Sequence, residues 1–333
     1  MTPAEAPDTE GRTPAPAPDG VVAVVLTHKR PGLAGAVVRS LLDTEGLAPD
    51  RIIVVVNGEG GLDDRVLESQ VRMVHLPRNI GPAGGFRAGL VEAVSDPTVR
   101  WIYLCEDDVG LFDLPVRRLD DLLRRVAELG DRSRGVGAVV AYGRKFVGRG
   151  AHTVNFVPPP GAPADLTGVD VACWGATLVS REVVDAGVLP DPEWFFGLED
   201  FDFFCRLRRA GFEVLVDGVA ARRVAGQQTI EGREAAHRDR RPTDEDEAWR
   251  AYYHARNSFA LARSHGRPSW YAWHLAYSVR HVQAAHSRAE RLAIARGLWD
   301  GALGRMGENR RYGRRVGEYD PPGTDARSIR SEG

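Results

Sequence analysis

Four short apolar runs, separated by helical patterns and each closing on polar residues, constrain the fold more than any other feature of this chain. The runs are Val21 to Leu26, Arg51 to Val56, Val71 to His75 and Trp101 to Cys105. They lead into Thr27-His28-Lys29-Arg30-Pro31, the turn signal Asn57-Gly58, the glycine-rich stretch Asn79 to Gly85, and Glu106-Asp107-Asp108. Helices are expected from Leu33 to Leu42 and from the glycine-rich stretch to Ala93. Short apolar runs alternating with helices argue for a parallel, doubly wound α/β sheet. Such a sheet binds ligands beyond the carboxyl ends of its strands. The four polar segments are therefore expected around one cleft.

The second half reads differently. Val136 to Tyr142 reads as a strand, residues 147–168 as an irregular Gly- and Pro-rich loop over the site, and Asp170 to Ser180 as a strand or turn leading into a helix. A helix is expected from Glu199 to Arg209, stopped by Gly211, with a strand at Phe212 to Val216. The expected organisation is a disordered leader at 1–19, a catalytic domain at 20–226, a charged loop or lid at 227–248, C-terminal helices at 249–310 broken at Pro268, and a disordered tail at 311–333.

Composition narrows the function classes. The 44 basic and 46 acidic side chains nearly cancel, leaving a net charge of -2 and no electrostatic case for nucleic acid. Cys105, Cys173 and Cys205 are widely spaced in apolar contexts, which suits free thiols in a reducing compartment. The first 20 residues lack a secretory pattern, and no segment approaches the roughly 20 apolar residues of a membrane span. The expectation is a soluble, cytoplasmic protein whose basic, aromatic C-terminal helices can lie on a membrane surface.

Two acidic constellations carry the chemistry. Glu106-Asp107-Asp108 closes an apolar strand, and adjacent carboxylates repel unless a cation holds them. Hard oxygen ligands suit Mg²⁺ or Mn²⁺, ions that also bridge phosphates. A solvated acidic loop is the bland alternative. Glu199-Asp200 follows the aromatic approach Trp194-Phe195-Phe196-Gly197-Leu198. A carboxylate walled by aromatics can have a raised pKa and act as a general base. The bland alternative is an acidic helix start favoured by the macrodipole. Around Asn79, Gly81 and Gly84 the backbone can approach a ligand at a helix start, or simply turn tightly. His28, Lys29 and Arg30 are candidate phosphate contacts or a solvated basic loop. Trp174 with Gly175 is a candidate stacking wall for a sugar, or a core Trp.

In their order and spacing these pieces resemble the family 2 glycosyltransferases of the GT-A fold over residues 20–310. Val21 to Pro31 is similar to that family's first strand and nucleotide loop. Arg78-Asn79-Ile80-Gly81 is similar to its Asn-x-Gly motif, and Glu106-Asp107-Asp108 to its metal-binding acidic motif. Trp174-Gly175-Ala176-Thr177 and Glu199-Asp200 are similar to its acceptor segment and catalytic acids. Trp194 to Asp200 followed by Tyr252-Tyr253-His254-Ala255-Arg256-Asn257 is similar to bacterial galactofuranosyltransferases, and rhamnosyltransferase-like enzymes share much of the pattern.

The resemblance implies an inverting transfer of a sugar from a UDP- or dTDP-linked donor to a hydroxyl on a glycan, lipid-linked or small-molecule acceptor. Asp108 with Glu106 would hold Mn²⁺ or Mg²⁺. Asp200 would be the base, with Glu199 orienting the acceptor. Thr27, His28, Arg30, Asn57, Asn79, Gly81, Gly84 and Asp107 would line the donor site, and Trp174 and Gly175 the acceptor site. Two positions depart from the pattern. Val56 stands where the family has a base-contacting Asp, and Ala221-Arg222-Arg223-Val224 lacks a metal-ligating His. Arg222 or Arg223 is then expected on the diphosphate. A nucleotide-sugar-binding protein without transfer activity, a nucleotidyltransferase and a helical scaffold are the rival classes.

Overall fold

The computed structural model describes residues 19–108, 118–148, 152–226, 248–265, 268–285 and 287–312. The first half runs β1 (Val21–Thr27), α1 (Pro31–Asp43), β2 (Ile52–Asn57), α2 (Arg65–Gln70), β3 (Arg72–Leu76), α3 (Gly81–Ala93), β4 (Trp101–Glu106) and α4 (Arg118–Ala127). It continues through β5 (Val136–Val140), β6 (Gly143–Phe146), β7 (Thr153–Asn155), β8 (Leu166–Gly168), β9 (Val171–Ala172), β10 (Thr177–Ser180) and α5 (Arg181–Asp185). Then come α6 (Glu199–Arg209), β11 (Glu213–Asp217), a helical segment at 218–226 (α7), α8 (Ala248–Ser264), α9 (Pro268–Ala284) and α10 (Arg288–Leu303). The expected leader, most of the charged loop and most of the tail lie outside the described residues.

The main sheet has eight strands in the order β3-β2-β1-β4-β10-β5-β11-β8. Strands β3, β2, β1 and β4 are parallel, as the alternating pattern predicts. Successive β1 residues serve opposite faces, as a two-residue period requires. Val21, Ala23 and Val25 pack with Leu41 of α1 and Leu122 of α4. Val22, Val24 and Leu26 pack with Phe86 of α3 and Phe203 of α6. Both faces are covered, so the strands are apolar throughout.

The sheet is mixed rather than wholly parallel. β10 runs antiparallel between β4 and β5, and β8 antiparallel at the edge beside β11. Thr177 of β10 lies opposite Leu104 and Ser180 opposite Trp101. The amino end of β10 thus meets the carboxyl end of β4, which brings residues 173–176 to the acidic segment. The region expected as an irregular loop contributes β7 and β8, and a second small sheet forms in the order β7-β6-β9. The C-terminal helices form, but with a second break between α9 and α10 at Ser287, whose side chain caps α10. Among the described residues no helix is long and apolar enough to cross a membrane.

Candidate functional site

The carboxyl ends of β1, β2 and β4 and the start of α3 open on one cleft of about 250 Å³, lined by Thr27, His28, Arg30, Asn57, Asn79 and Pro82 together with Glu106, Asp107 and Asp108. A larger cavity of about 630 Å³, lined by residues such as Lys145, Asp170, Arg208 and Trp270, holds none of these strand-end carboxylates.

At the cleft floor Asp107 is buried, with Thr27 Oγ1 donating to it at 2.9 Å and Arg30 at 3.0 Å. Arg30 also reaches Asp108 at 3.3 Å. Burial pushes Asp107 up to about 6, against the pull of the Arg30 guanidinium. Glu106 is raised well above the usual carboxylate range by burial first, and then by the charges of Asp108, Glu199, Asp107 and Asp200. The two acidic constellations therefore share one field, although they lie more than 90 residues apart in the chain.

Glu199 and Asp200 open α6, as expected from sequence. The turn before them is held in backbone that side chains rarely adopt: Phe195 has φ 58°, Gly197 79° and Leu198 63°. What over-determines this turn comes from α8. Asn257 Nδ2 lies 3.0, 2.8 and 2.5 Å from the carbonyls of Trp194, Phe196 and Gly197. Arg256 donates to the Trp194 carbonyl at 2.7 Å and also to that of Gly307. Both side chains are buried.

Burial and the neighbouring Asp200 charge push Glu199 up to about 8. Burial likewise lifts Asp200 to about 6, with the Phe201 backbone N–H opposing at 2.8 Å. Burial and mutual repulsion therefore make the pair retain a proton that two ordinary carboxylates would have released at neutral pH. Glu199 is buried while Asp200 keeps partial exposure, so Asp200 is the member of the pair that an acceptor can reach as a proton acceptor.

Several side chains sit differently from expectation. Trp174 is core rather than a stacking wall. It is 3% exposed and packs against Phe86, Phe203 and Phe204 at ring distances of 5.0, 5.2 and 6.0 Å. Its indole N–H favours the Glu199 anion from nearby but outside hydrogen-bond geometry, so Trp174 Nε1 and Glu199 Oε2 are both buried without a partner. Gly175 is half-buried beside it. Arg222 is engaged away from the cleft, on the carbonyls of Pro159 and Ala162. Neither Arg222 nor the exposed Arg223 lines the cleft, and the guanidinium on the carboxylates is that of Arg30.

The glycine-rich turn makes room for protein rather than for a ligand. A Cβ on Gly81 would lie 1.8 Å from the Phe195 carbonyl oxygen, and φ there is 78°. A Cβ on Gly84 would strike Ile80, and on Gly85 it would strike Leu26. The asparagines secure the turn. Asn57 donates to Asn79 Oδ1 at 3.1 Å and to the Gly81 carbonyl at 3.0 Å, and accepts from Ile80 N at 2.9 Å. Asn79 caps Gly81 N at 2.9 Å. His28 Nδ1 lies 2.7 Å from the Asn57 carbonyl, so that nitrogen carries the proton. Burial lowers the His28 pKa, which makes it a neutral cleft residue with Nε2 as an acceptor.

Sequence reasoning missed Trp249 and Arg250, which close the cleft with Phe196 from the start of α8. The Arg250 guanidinium lies 5.0 Å over the Trp249 ring. No local pattern signals that a helix following a long charged stretch returns to the strand ends. The sequence presents Arg256 and Asn257 only within the Tyr252–Asn257 motif, without a role.

Fold and cleft together define a mixed α/β protein with a parallel-rich central sheet, C-terminal helices and a carboxylate cluster at its strand ends. No family model matches the chain. Over 96 residues it is 34% identical to galactofuranosyltransferase GlfT1 of Mycobacterium tuberculosis, in strains CDC 1551 / Oshkosh and ATCC 25618 / H37Rv. That match takes in 27% of this chain, and it spans about a third (31%) of the length of the curated relatives. Among solved structures, the chain is similar to mannosyltransferase PcManGT from Pyrobaculum calidifontis in complex with GDP-Man and Mn²⁺, with TM-score 0.43, 15% identity, and 89% and 92% of the two chains covered. It is also similar to GalNAc-T7 with UDP, GalNAc and Mn²⁺, with TM-score 0.42, 12% identity, and 60% and 42% covered.

Proposed function

We propose that the chain is an inverting glycosyltransferase that moves a sugar from a nucleoside-diphosphate donor, UDP- or dTDP-linked, onto a hydroxyl acceptor of a cell-envelope or secreted glycan. The observation that carries the reading is the shared field of the Glu106–Asp108 and Glu199–Asp200 clusters. One cluster sits at the strand ends where a donor diphosphate binds, and the other supplies an ionised base. The partial identity to a galactofuranosyltransferase supports it.

In this mechanism Asp200 accepts the acceptor hydroxyl proton as that oxygen attacks the anomeric carbon. The bond to the diphosphate oxygen breaks on the opposite face, and the nucleoside diphosphate leaves with the electron pair. Configuration inverts in one displacement. Protonated Glu199 holds the acceptor oxygen's neighbourhood, and Arg30 and Thr27 keep Asp107 oriented at the diphosphate. Phe196 and Trp249 exclude water from the cleft mouth.

The donor set fits a hard divalent ion. Asp107, Asp108 and Glu106 are oxygen ligands, and their mutual repulsion with burial shows an excess of negative charge. No group of three such ligands is already assembled among the described residues, and Arg30 is the counter-charge present. Asp108 and Glu106, with Asp107, would hold Mn²⁺ or Mg²⁺. When bound, the ion would neutralise charge on the leaving diphosphate.

The test is thermal stabilisation by a panel of nucleoside-diphosphate sugars, with Mn²⁺ and with EDTA, for wild type, Asp108→Ala and Asp200→Asn. Binding to the native state raises apparent stability. Asp108→Ala should lose the Mn²⁺-dependent shift. Asp200→Asn should keep it while losing transfer by about 10²–10⁴-fold, the range for a general base. The acid limb of the wild-type rate should fall near pH 6, where Asp200 protonates. Absence of any shift across the panel, or full transfer by Asp200→Asn, would overturn the reading.

A further inference from the structure

The last described helix, α10, has two unlike faces. Its inner face packs on α8 so closely that a Cβ on Gly297 or Gly301 would lie 2.3 or 2.5 Å from the carbonyls of Tyr252 and Arg256. Its outer face carries Leu292, Trp299 and Leu303, which are 53%, 63% and 50% exposed, with Ala295 and Ala302 between them. That spacing is one stripe at the helical period. Arg288, Arg291 and Arg296 flank the stripe, and all three are exposed. The two acids of the helix are withdrawn: Asp300 is buried and Glu290 half-buried. Beside the stripe a groove of about 520 Å³ is lined by Arg296, Trp299, Arg305, Arg311 and Tyr312, with Asp300 at its base paired to Arg305 at 3.3 Å and Arg296 at 3.9 Å. On α9, a helix without an acidic residue, Leu275 and Val279 are likewise 51% and 49% exposed.

We propose that the outer face of α10 and its arginine-lined groove dock on a bilayer surface rich in anionic phospholipid. Charge selects this occupant. A face of leucine, tryptophan and arginine with no exposed acid matches apolar chains beneath a layer of phosphate. A second copy of the same face would set arginine against arginine across a two-fold axis. Tryptophan belongs at the headgroup level, and arginine stems cover apolar surface while their heads reach phosphate. The helix lies on the bilayer rather than across it. The proposal is independent of the transfer reaction, since no residue of the face lines the donor cleft.

The experiment is co-sedimentation of the full chain with vesicles of phosphatidylcholine alone and of phosphatidylcholine with phosphatidylglycerol. Binding should be at least about tenfold stronger to the anionic vesicles and should weaken as salt is raised. The triple variant Arg288→Gln/Arg291→Gln/Arg296→Gln should lose roughly fivefold per arginine, on the order of a hundredfold together. Trp299→Ser/Leu303→Ser should weaken binding with unchanged circular dichroism and melting, which separates lost contact from lost folding. Equal binding to both vesicle types, no binding to either, or binding unaltered in both variants would overturn the proposal. So would a dimer in sedimentation velocity that Trp299→Ser/Leu303→Ser dissolves.

Discussion

Replacing Glu199 by glutamine should make the protein more stable at high pH. Glu199 is 6% exposed, and its pKa moves from an ordinary 4.5 to about 8. The folded chain thus binds this proton more tightly than the unfolded chain does. Below 4.5 both states hold it and there is no penalty. Between 4.5 and about 8 the native state keeps a proton that the unfolded chain has released, so stability falls as pH rises. Above about 8 the native carboxylate is forced to ionise in its dry site, and the whole penalty is present.

At about 1.4 kcal/mol per pH unit the ceiling is about 5 kcal/mol. Part of it belongs to the charge of Asp200, with which Glu199 shares its titration, so the expected gain is about 2–3 kcal/mol. Urea denaturation of wild type and Glu199→Gln at about pH 5 and pH 8.5, without divalent cations, measures it. The variant should match wild type within about 1 kcal/mol at the lower pH and exceed it by about 2–3 kcal/mol at the higher. Parallel stability–pH curves would refute the burial argument, and with it the assignment of the retained proton.

Three further perturbations test the cleft. Arg30→Gln removes the cation that holds Asp107 down, so its carboxyl titration should move above 6, read by difference infrared spectroscopy against Asp107→Asn; no movement would take Arg30 out of the cleft's electrostatics. Asn57→Ala removes a buried side chain with three polar partners on the 79–81 turn, and should cost about 2–4 kcal/mol in urea denaturation. A loss below about 1 kcal/mol would show that the turn stands without it. Gly81→Ala places a Cβ against the Phe195 carbonyl at a positive φ, so it should cost more than about 3 kcal/mol or prevent folding. Wild-type melting for that variant would mean that the contact between α3 and the 195–198 turn is not tight.

The parallel half of the sheet was legible because each strand is a doubly buried apolar run, and one-dimensional patterning suffices for that. Strand bounds fell within two residues for β1 to β4, and α6 was bounded at Glu199 and Arg209 as expected. The antiparallel course of β10 was not legible. A four-residue buried strand carries no direction in its composition, and only its pairing with Leu104 to Trp101 sets it. Residues were legible as a cleft where they close strands: Thr27, Arg30, Asn57, Glu106, Asp107 and Asp108. Roles that depend on what a side chain faces were not. Trp174 reads alike as a wall or as core, and Gly81 alike as a ligand contact or as a contact with Phe195. Arg222 is an arginine in a plausible place whose Nη2 donates instead to the carbonyls of Pro159 and Ala162.

The clamp from Arg256 and Asn257 onto the 194–197 carbonyls has a consequence for biosynthesis. Because the strained turn ahead of Glu199–Asp200 is held from α8, the acidic pair lacks that support until α8 has left the ribosome and folded back. A nascent sheet can bury its apolar strands earlier, since β1 to β4 arise within the first 106 residues. Assembly of the acidic pair is thereby deferred to the docking of α8. The order in which these elements dock is written into the geometry of two side chains.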